Sequence, residues 1–231
     1  MSSIADNLGT VTRRIQKATL SVGRHPGSAH LLAVSKTRPA SDLRAAYAAG
    51  QRAFGENYLQ EALAKIDAMS DLSDLEWHFI GPVQSNKTRQ IAQAFHWVHS
   101  VDRLKIAQRL SDQRTASAPP LNLCLQVNID NEDSKAGCSL EEVPALAQSI
   151  LTLPHVNLRG LMAIPNPDQS ATALKRSFQA LSDSLSDLRR RHPESHRLDT
   201  LSMGMSDDLE IAIDAGATWV RVGTAIFGAR D

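Results

Sequence analysis

Residues 31–39 read LLAVSKTRP, an apolar run in the form of a buried strand that ends in Ser35 and Lys36. In a dinucleotide-binding sheet the first strand is followed by a glycine-rich turn, and no such turn follows here. The segment raises a second question, because a lysine closes a core strand. Lys36 could simply leave the core for solvent, as most lysines do. It could instead be partly desolvated at the strand end and act as a nucleophile.

Strand-like apolar segments alternate with helical patterns along the whole chain. The candidate strands are residues 31–34, 52–54, 76–80, 97–99, 122–128, 157–164, 198–202 and 219–222. The candidate helices are residues 42–49, 58–69, 87–94, 103–113, 140–151, 172–191 and 208–215. About eight β–α units in this length favour an α/β fold of the (β/α)8 TIM-barrel type. A doubly wound open sheet is the alternative, and the missing glycine-rich fingerprint argues against it.

The chain starts with a helical pattern before any strand, since Ile4, Leu8, Val11 and Ile15 recur at helical spacing. We expect residues 1–25 to form an N-terminal helix packed on the barrel. No low-complexity linker or repeat divides the sequence, and TASAPP at residues 115–120 has the composition of a loop. Residues 1–231 are therefore predicted to form a single domain.

Composition argues against several classes of partner. The 25 lysines and arginines balance the 25 aspartates and glutamates, so no basic field exists to attract nucleic acid or a membrane surface. The two cysteines, Cys124 and Cys138, are too few for a disulfide framework and lie at no metal-ligand spacing with a histidine. No signal peptide or membrane span is recognisable. We expect a cytoplasmic protein with a small-molecule ligand and no metal.

The segments that follow the strands are rich in polar residues and glycine, and in a barrel these segments gather on one face. In SMGMSDD, Ser206 and Asp207 are placed to cap the next helix, and in RVGTAIFG, Gly223 and Thr224 precede another helical turn. Loops after strands seven and eight form the usual phosphate site of such barrels. Two ordinary capped helices are the simpler interpretation of either loop alone. A phosphate site beside Lys36 suggests a phosphorylated aldehyde or ketone as ligand.

Several long motifs occur in a recognisable order: LAVSKTRP, FGENYLQEA, WHFIGPVQSNK, VNIDNEDSKAG, RGLMAIP and the C-terminal SMGMSDDLEIAIDAGATWVRVGTAIFGARD. From about residue 31 onward the chain closely resembles the pyridoxal phosphate homeostasis protein family, also called the proline-synthase co-transcribed type. The resemblance implies a monomeric fold type III barrel related to the N-terminal domain of alanine racemase. It also implies binding of pyridoxal 5'-phosphate (PLP) as cofactor, with no established catalytic residues.

The resemblance assigns roles to four residues at the strand ends. Lys36 matches the cofactor lysine of the family, which forms an aldimine with the pyridoxal aldehyde. Ser206, Gly223 and Thr224 match its phosphate-binding positions. The family's role is PLP homeostasis, in which the cofactor is bound, buffered and delivered, with PLP-dependent apo-enzymes as possible recipients.

Two further positions complete the expected site. Arg221, in the R-x-G pattern that the racemase also uses, would lie against the pyridine nitrogen, and Asn57, in GEN, would neighbour the ring hydroxyl. Arg221 is also a candidate for the cation that helps Lys36 to be neutral. Cys138 departs from the family, where the SKxG loop more often continues with a small or apolar residue.

Two functions remain open after the resemblance, a PLP carrier and a weak PLP-dependent amino-acid racemase. Arg221 cannot accept a proton, so it would keep the pyridine a poor electron sink. A two-base racemase also needs a second proton carrier. Tyr58 is a candidate, although burial on a helix face is the commoner outcome, Tyr47 is expected to pack, and His78 is expected to be a satisfied strand-end histidine. We favour the carrier. A barrel enzyme that acts on a sugar phosphate through Lys36 fits the spacing but not the motifs.

Overall fold

Eight parallel strands form one closed barrel in the computed structural model, which describes residues 3–132 and 135–229. The strands are β1 (His30–Val34), β2 (Ala53–Glu56), β3 (Glu76–Phe79), β4 (Trp97–Val101), β5 (Leu121–Val127), β6 (Val156–Ala163), β7 (Thr200–Ser202) and β8 (Trp219–Val222). The helices are α1 (Ile4–Ser21), α2 (Ala40–Ala48), α3 (Leu59–Ala68), α4 (Thr88–Ala94), α5 (Leu104–Gln113), α6 (Val143–Leu151), α7 (Ala171–Arg191), α8 (Leu209–Asp214) and α9 (Thr224–Phe227). The predicted (β/α)8 barrel is confirmed, and the open-sheet alternative is wrong.

The barrel closes because β1 pairs in parallel with both β2 and β8. Ala33 lies opposite Phe54 of β2, and Leu32 lies opposite Arg221 of β8. Every neighbouring pair of strands is parallel, and closure of the ring leaves the sheet without an edge. Because the strands are parallel, their carboxyl ends all lie at the same rim of the barrel, and the segments that follow them meet there.

Two different cores result from the alternation of side chains along each strand. Apolar residues that face the helices, such as Val98, Leu161 and Val220, belong to one large buried cluster. A second cluster of Trp97, Cys124 and Met162 fills the inside of the barrel. Polar residues such as His99, Ser202 and Arg221 share the inward-facing positions, so the interior of this barrel is only partly apolar.

The N-terminal helix α1 begins with a capping box, in which the Ser3 hydroxyl accepts from the Asp6 backbone N–H and the Asp6 carboxylate accepts from the Ser3 backbone N–H. Its buried face includes Leu8, Val11 and Ile15 and packs against α2, α8 and α9. Arg14 also forms a bidentate salt bridge with Glu210 of α8, in which both N–O distances are 2.8 Å. The assignment of the whole chain to a single domain stays a prediction.

Element boundaries differ from the predicted ones by a few residues at positions with a local cause. Tyr58 was predicted to start a helix, but its backbone is extended (φ −113°, ψ 113°) and α3 begins at Leu59. The helix expected from residue 140 begins at Val143, with a proline in its first turn. Residues 115–120 form the expected loop. Within residues 3–132 and 135–229, no helix combines the length and the apolar character that a membrane crossing requires.

Candidate functional site

One cavity of about 530 Å³ lies at the rim where the strands end. Its volume falls in the range typical of small-molecule sites. Met162, Ile80 and Ile164 contribute apolar wall. The lining also includes all six residues singled out in the sequence, namely Lys36, Asn57, Ser206, Arg221, Gly223 and Thr224. The ends of four strands, β1, β2, β7 and β8, thus bring the predicted site residues together.

Lys36 stands two residues beyond the end of β1 and is half-buried. The strand stops at Val34, so the amine lies at the barrel rim and not within the apolar core. Thr37, the next residue, has a φ of 65°, a left-handed conformation that is uncommon outside glycine. The chain therefore turns sharply just after the lysine.

Arg221 reaches the cavity from inside the barrel and is only 5% exposed. Its guanidinium donates to the Ser202 carbonyl at 2.6 Å, to the Ser202 hydroxyl at 2.9 Å and to the Ala163 carbonyl at 3.0 Å. Burial lowers its pKa to about 10, while the charge of Asp208 acts in the opposite direction. Arg221 is therefore still a cation at neutral pH, and three hydrogen bonds fix its orientation.

Below Arg221 a buried polar chain runs down the barrel through Ser202, His99 and His78 toward Glu76. His99 Nδ1 lies 2.7 Å from the Ser202 hydroxyl, and His99 Nε2 lies 2.9 Å from His78 Nδ1. His78 Nε2 faces Glu76 Oε2 at 3.5 Å, longer than a full hydrogen bond. Ser202, His99 and His78 have no exposed surface.

Arg221 sets the direction of the hydrogen bonds along this buried polar chain. Because Arg221 can only donate, the Ser202 oxygen accepts and its hydrogen can go to His99 Nδ1. We therefore assign the Nε2–H tautomer to His99, which donates to His78, and the same tautomer to His78, which points its N–H at Glu76. Burial lowers the pKa of both histidines and holds them neutral. Burial alone would raise the pKa of Glu76, but contacts with His78 and Trp97 outweigh this effect and keep the pKa below its ordinary value.

The turn between β8 and α9 approaches the end of β1 very closely. A Cβ atom on Gly223 would lie 3.0 Å from the Val34 carbonyl oxygen, so glycine suits this position. Thr224 begins α9, and the first N–H groups of a helix have no partner within that helix. The backbone N–H and hydroxyl of Thr224 are thus placed at the cavity wall.

The turn between β7 and α8 differs from the prediction. Ser206 and Asp207 were expected to cap the next helix, and this is wrong: Asp208 is the N-cap residue of α8. The Asp208 carboxylate accepts from the Met205 backbone N–H at 2.5 Å, which closes the turn over residues 205–208. Ser206 does not cap α8, and it lines the cavity.

Asn57 follows β2 and carries a buried amide oxygen, Oδ1, that has no hydrogen-bond partner among the described residues. Gly81 packs directly on its backbone, since a Cβ there would lie 2.1 Å from the Asn57 carbonyl oxygen. A buried polar atom without a partner is destabilising unless a ligand or water satisfies it. Asn57 is therefore rigidly held with one unused acceptor at the cavity.

Comparison with known proteins agrees with this arrangement. The family described as the alanine racemase N-terminal domain matches residues 7–231. The pyridoxal phosphate homeostasis protein of Pseudomonas aeruginosa is 60% identical over 231 residues, which is 100% of this chain and 97% of the relative. That of Escherichia coli K12 is 51% identical over 233 residues, with 100% and 98% covered. The chain belongs to the pyridoxal phosphate homeostasis protein family.

Solved structures support the family assignment. PipY of Synechococcus elongatus, solved with PLP bound, has a TM-score of 0.81 and 40% identity, with 93% of this chain and 100% of PipY covered. Alanine racemase of Corynebacterium glutamicum has a TM-score of 0.68 at 19% identity, with 98% of this chain and 61% of the racemase covered. The racemase shares the barrel fold.

The residues considered as a second proton carrier or as packing residues, Tyr58, His78 and Tyr47, do not line the main cavity. His78 was expected to be a satisfied strand-end histidine; it is buried and its Nδ1 contacts His99, but its Nε2 has no hydrogen-bond partner among the described residues. Tyr47 packs against the main hydrophobic core, as predicted, and its hydroxyl donates to Asp74 at 2.6 Å. Tyr58 was expected to be buried, and this is wrong: it is 56% exposed and lines a neighbouring cavity of about 570 Å³ together with Lys87.

Lys135, in the SKAG motif, contacts Ile164, a residue of the cavity lining. Lys135 donates to the Ile164 carbonyl at 3.4 Å and pairs with Glu132 at 2.8 Å. Cys138 is buried, and this burial raises the pKa of its thiol to about 11. Residues 133–134 of the same motif lie outside the described residues. Within the described part of the chain, no group of three or more histidine, cysteine or acidic side chains is placed to hold a metal.

Sequence reasoning missed Ser202 and His99, which support Arg221 from below. The available signal was weak, because a serine or histidine on a core strand is usually a satisfied buried polar group. The regular alternation in WVHSV and WVRV could have indicated it, since His99 and Arg221 occupy every second position with the inward-facing tryptophans.

The two buried histidines predict a loss of stability in mild acid. They are neutral in the folded chain and take up protons when the chain unfolds below their ordinary pKa of 6.5. The free energy of unfolding should thus fall as the pH drops below about 6.5, by up to about 1.4 kcal/mol per pH unit for each histidine that stays neutral in the folded chain. Urea denaturation from about pH 7.5 to about pH 5 measures this slope.

A pair of variants tests whether this pH dependence comes from the buried histidines. His99→Gln should reduce the slope by about one histidine's share, although it also lowers stability at all pH values. His196→Gln, at an exposed site, should leave the slope unchanged. A free energy of unfolding that stays level over this pH range would contradict the assignment of two neutral buried histidines.

Proposed function

We propose that this chain binds PLP in the rim cavity and acts in PLP homeostasis, by holding the cofactor through Lys36 and delivering it to PLP-dependent apo-enzymes. The observation that carries the proposal is the convergence of an amine, a guanidinium, an unpartnered amide oxygen and two polar turns on one cavity of about 530 Å³. PipY, a relative at 40% identity, has been solved with PLP bound. The chemistry of the cavity fits an aldehyde that also carries a phosphate.

Each polar group of the cavity suits one part of PLP. Ser206, Gly223 and Thr224 would hold the phosphate through backbone N–H groups and hydroxyls. Asn57 would accept a hydrogen bond from the ring hydroxyl through Oδ1, which would satisfy its unpartnered amide oxygen. Lys36 would bind the aldehyde carbon through Nζ, with the loss of one water molecule.

Arg221 would limit the reactions that PLP could catalyse in this site. Bound PLP supplies an electrophilic carbon and an aromatic ring that can withdraw electrons. Arg221 would face the ring nitrogen, and its position is fixed by Ser202 and Ala163. A guanidinium donates a hydrogen bond without giving up its proton at neutral pH, so the ring nitrogen would stay unprotonated. This weakens electron withdrawal and favours holding PLP over transforming amino acids.

A weak amino-acid racemase is the alternative. The feature that favours it is Tyr58, whose exposed side chain lies next to Asn57 in the sequence and could reach a bound amino acid. Against it, the lining of the main cavity contains neither Tyr47 nor Tyr58, the two tyrosines of the sequence. The carrier role needs no second proton carrier and is the one we propose.

We further propose a cytoplasmic monomer. Both cysteines are free and buried, which suits a reducing compartment. A monomer would leave the rim cavity open to solvent, so that PLP could pass to recipient enzymes. Neither nucleic acid nor a membrane surface is needed for this role.

The attachment point is tested by chemical labelling. Borohydride reduction of the PLP-loaded protein, followed by peptide mapping, should place the pyridoxyl mass on Lys36 because this amine lines the cavity. Lys36→Ala should lose both the label and the visible absorbance, whereas Lys87→Ala, in the neighbouring cavity, should keep them. A label found mainly on Lys135 or Lys87 would overturn the assignment, and a colourless wild-type protein would favour a sugar-phosphate enzyme.

The phosphate contacts are tested by Thr224→Val, which removes the hydroxyl with little change in volume. Loss of a hydrogen bond to a charged group costs about 1.5–3 kcal/mol, so the Kd for PLP should rise tenfold or more. The Kd for pyridoxal, which lacks the phosphate, should not change. Thr172→Val, at an exposed site on α7, is the matched control. Equal weakening for both ligands would show that Thr224 is not a phosphate contact.

Carrier and racemase differ in the fate of the α-proton of an amino acid. The loaded protein is incubated with L-alanine in deuterated water, and α-deuteration and chirality are followed. General acid–base assistance is worth about 10²–10⁴-fold, so its absence should leave exchange very slow. The same preparation should transfer PLP to an apo-enzyme faster than it releases PLP spontaneously. Rapid exchange that Tyr58→Phe abolishes would instead establish the racemase.

A further inference from the structure

A buried charged cluster lies directly beneath Lys36 and outside the rim cavity. It consists of Glu56 at the end of β2, Lys65 and Glu61 of α3, and Ser35. Glu56 has no exposed surface, and Lys65 is 5% exposed. Lys65 Nζ donates to the Ser35 carbonyl at 2.7 Å, to Glu56 Oε1 at 2.8 Å and to Glu61 Oε1. All three protons of the ammonium group therefore have partners.

The cluster holds the backbone on both sides of Lys36. On one side, Ser35 is fixed by its carbonyl to Lys65 and by its hydroxyl, which donates to Glu56 Oε1 at 2.5 Å. On the other side, the Thr37 backbone N–H donates to Glu61 Oε1 at 2.6 Å. These contacts restrain the left-handed turn at Thr37. The two peptide groups that flank Lys36 are thus tied to one ammonium group.

Stability alone is a poor explanation for such a cluster. Removing charges from water is unfavourable, and a well-packed apolar replacement is often as stable or more stable. Burial also raises the pKa of Glu56, against the effect of Lys65 and Ser35. Buried ionic groups are better explained where a unique local geometry is required, and the geometry that this cluster sets is that of the segment carrying Lys36.

We propose that Ser35, Glu56, Glu61 and Lys65 are positioning residues that aim Lys36 at the aldehyde carbon of PLP. The inference rests on the proposed role of Lys36. None of the four lines the rim cavity, so they act through the backbone of residues 35–37. A reacting group held in its productive geometry reacts faster than one that must first be oriented, while binding of the rest of the ligand is unaffected.

The test separates bond formation from non-covalent binding. The rate of carbon–nitrogen bond formation with PLP is followed by visible absorbance, and affinity is measured with pyridoxine 5'-phosphate, whose alcohol replaces the aldehyde and cannot react. Glu61→Ala, at a half-buried site, should slow bond formation at least tenfold and leave affinity for pyridoxine 5'-phosphate within twofold. Glu61→Gln retains an acceptor for the Thr37 N–H and should restore most of the rate.

A matched control removes the same kind of bond elsewhere. Glu142 accepts from the Ser139 backbone N–H at 2.8 Å in a loop outside the cavity lining, so Glu142→Ala should change neither quantity. Bond formation at the wild-type rate in Glu61→Ala would overturn the positioning role. An equal fall in rate and in affinity would also overturn it, because the cavity as a whole would have been damaged. If the wild-type protein bound neither ligand, the proposed function itself would fail.

Discussion

The pairing of β1 with β8 is the interaction on which the rest of the structure depends. It closes the sheet and sets Leu32 opposite Arg221, so the segments that follow the two strands meet at the rim. Lys36 and Thr224, which are far apart in sequence, line one cavity for this reason. The close approach of Gly223 to the Val34 carbonyl is a direct consequence of the same pairing. Without closure, the amine and the expected phosphate turn would lie on opposite edges of an open sheet.

Closure also creates an interior that must be filled, and this chain fills it with both aromatic and polar side chains. Trp97, Trp219 and His78 stack or meet edge to face. Ser202 and Ala163 accept hydrogen bonds from the buried guanidinium of Arg221, and His99 and His78 continue the polar chain from Ser202. An unpaired buried cation would be strongly unfavourable. The barrel core and the cavity floor are therefore one structure, and the residues that stabilise the fold also orient Arg221.

Much of the fold and of the candidate site could be predicted from the sequence. The eight strands were recognisable as short apolar runs, and all six residues predicted for the site from the motifs at the strand ends line the cavity. This worked because barrel topology places every strand end at one rim, so position in sequence is enough to assign position in space. Boundaries were less predictable. Tyr58 remains extended before α3 and is exposed, and Asp208 instead of Ser206 or Asp207 occupies the N-cap position of α8.

By itself, the sequence determined the barrel, its family and the identity of the groups at its rim, since these follow from periodicity, order and local motifs. Only the tertiary structure decided how those groups are held. The contact between His99 and Ser202 joins residues 103 positions apart, and Lys65 reaches Ser35 across 30 positions. No local pattern marks such partners, because each is set by which side chains face one another after the sheet has closed. A lysine in helix α3 reads as a surface residue in sequence, and packing turns it into the buried centre of a cluster beneath Lys36.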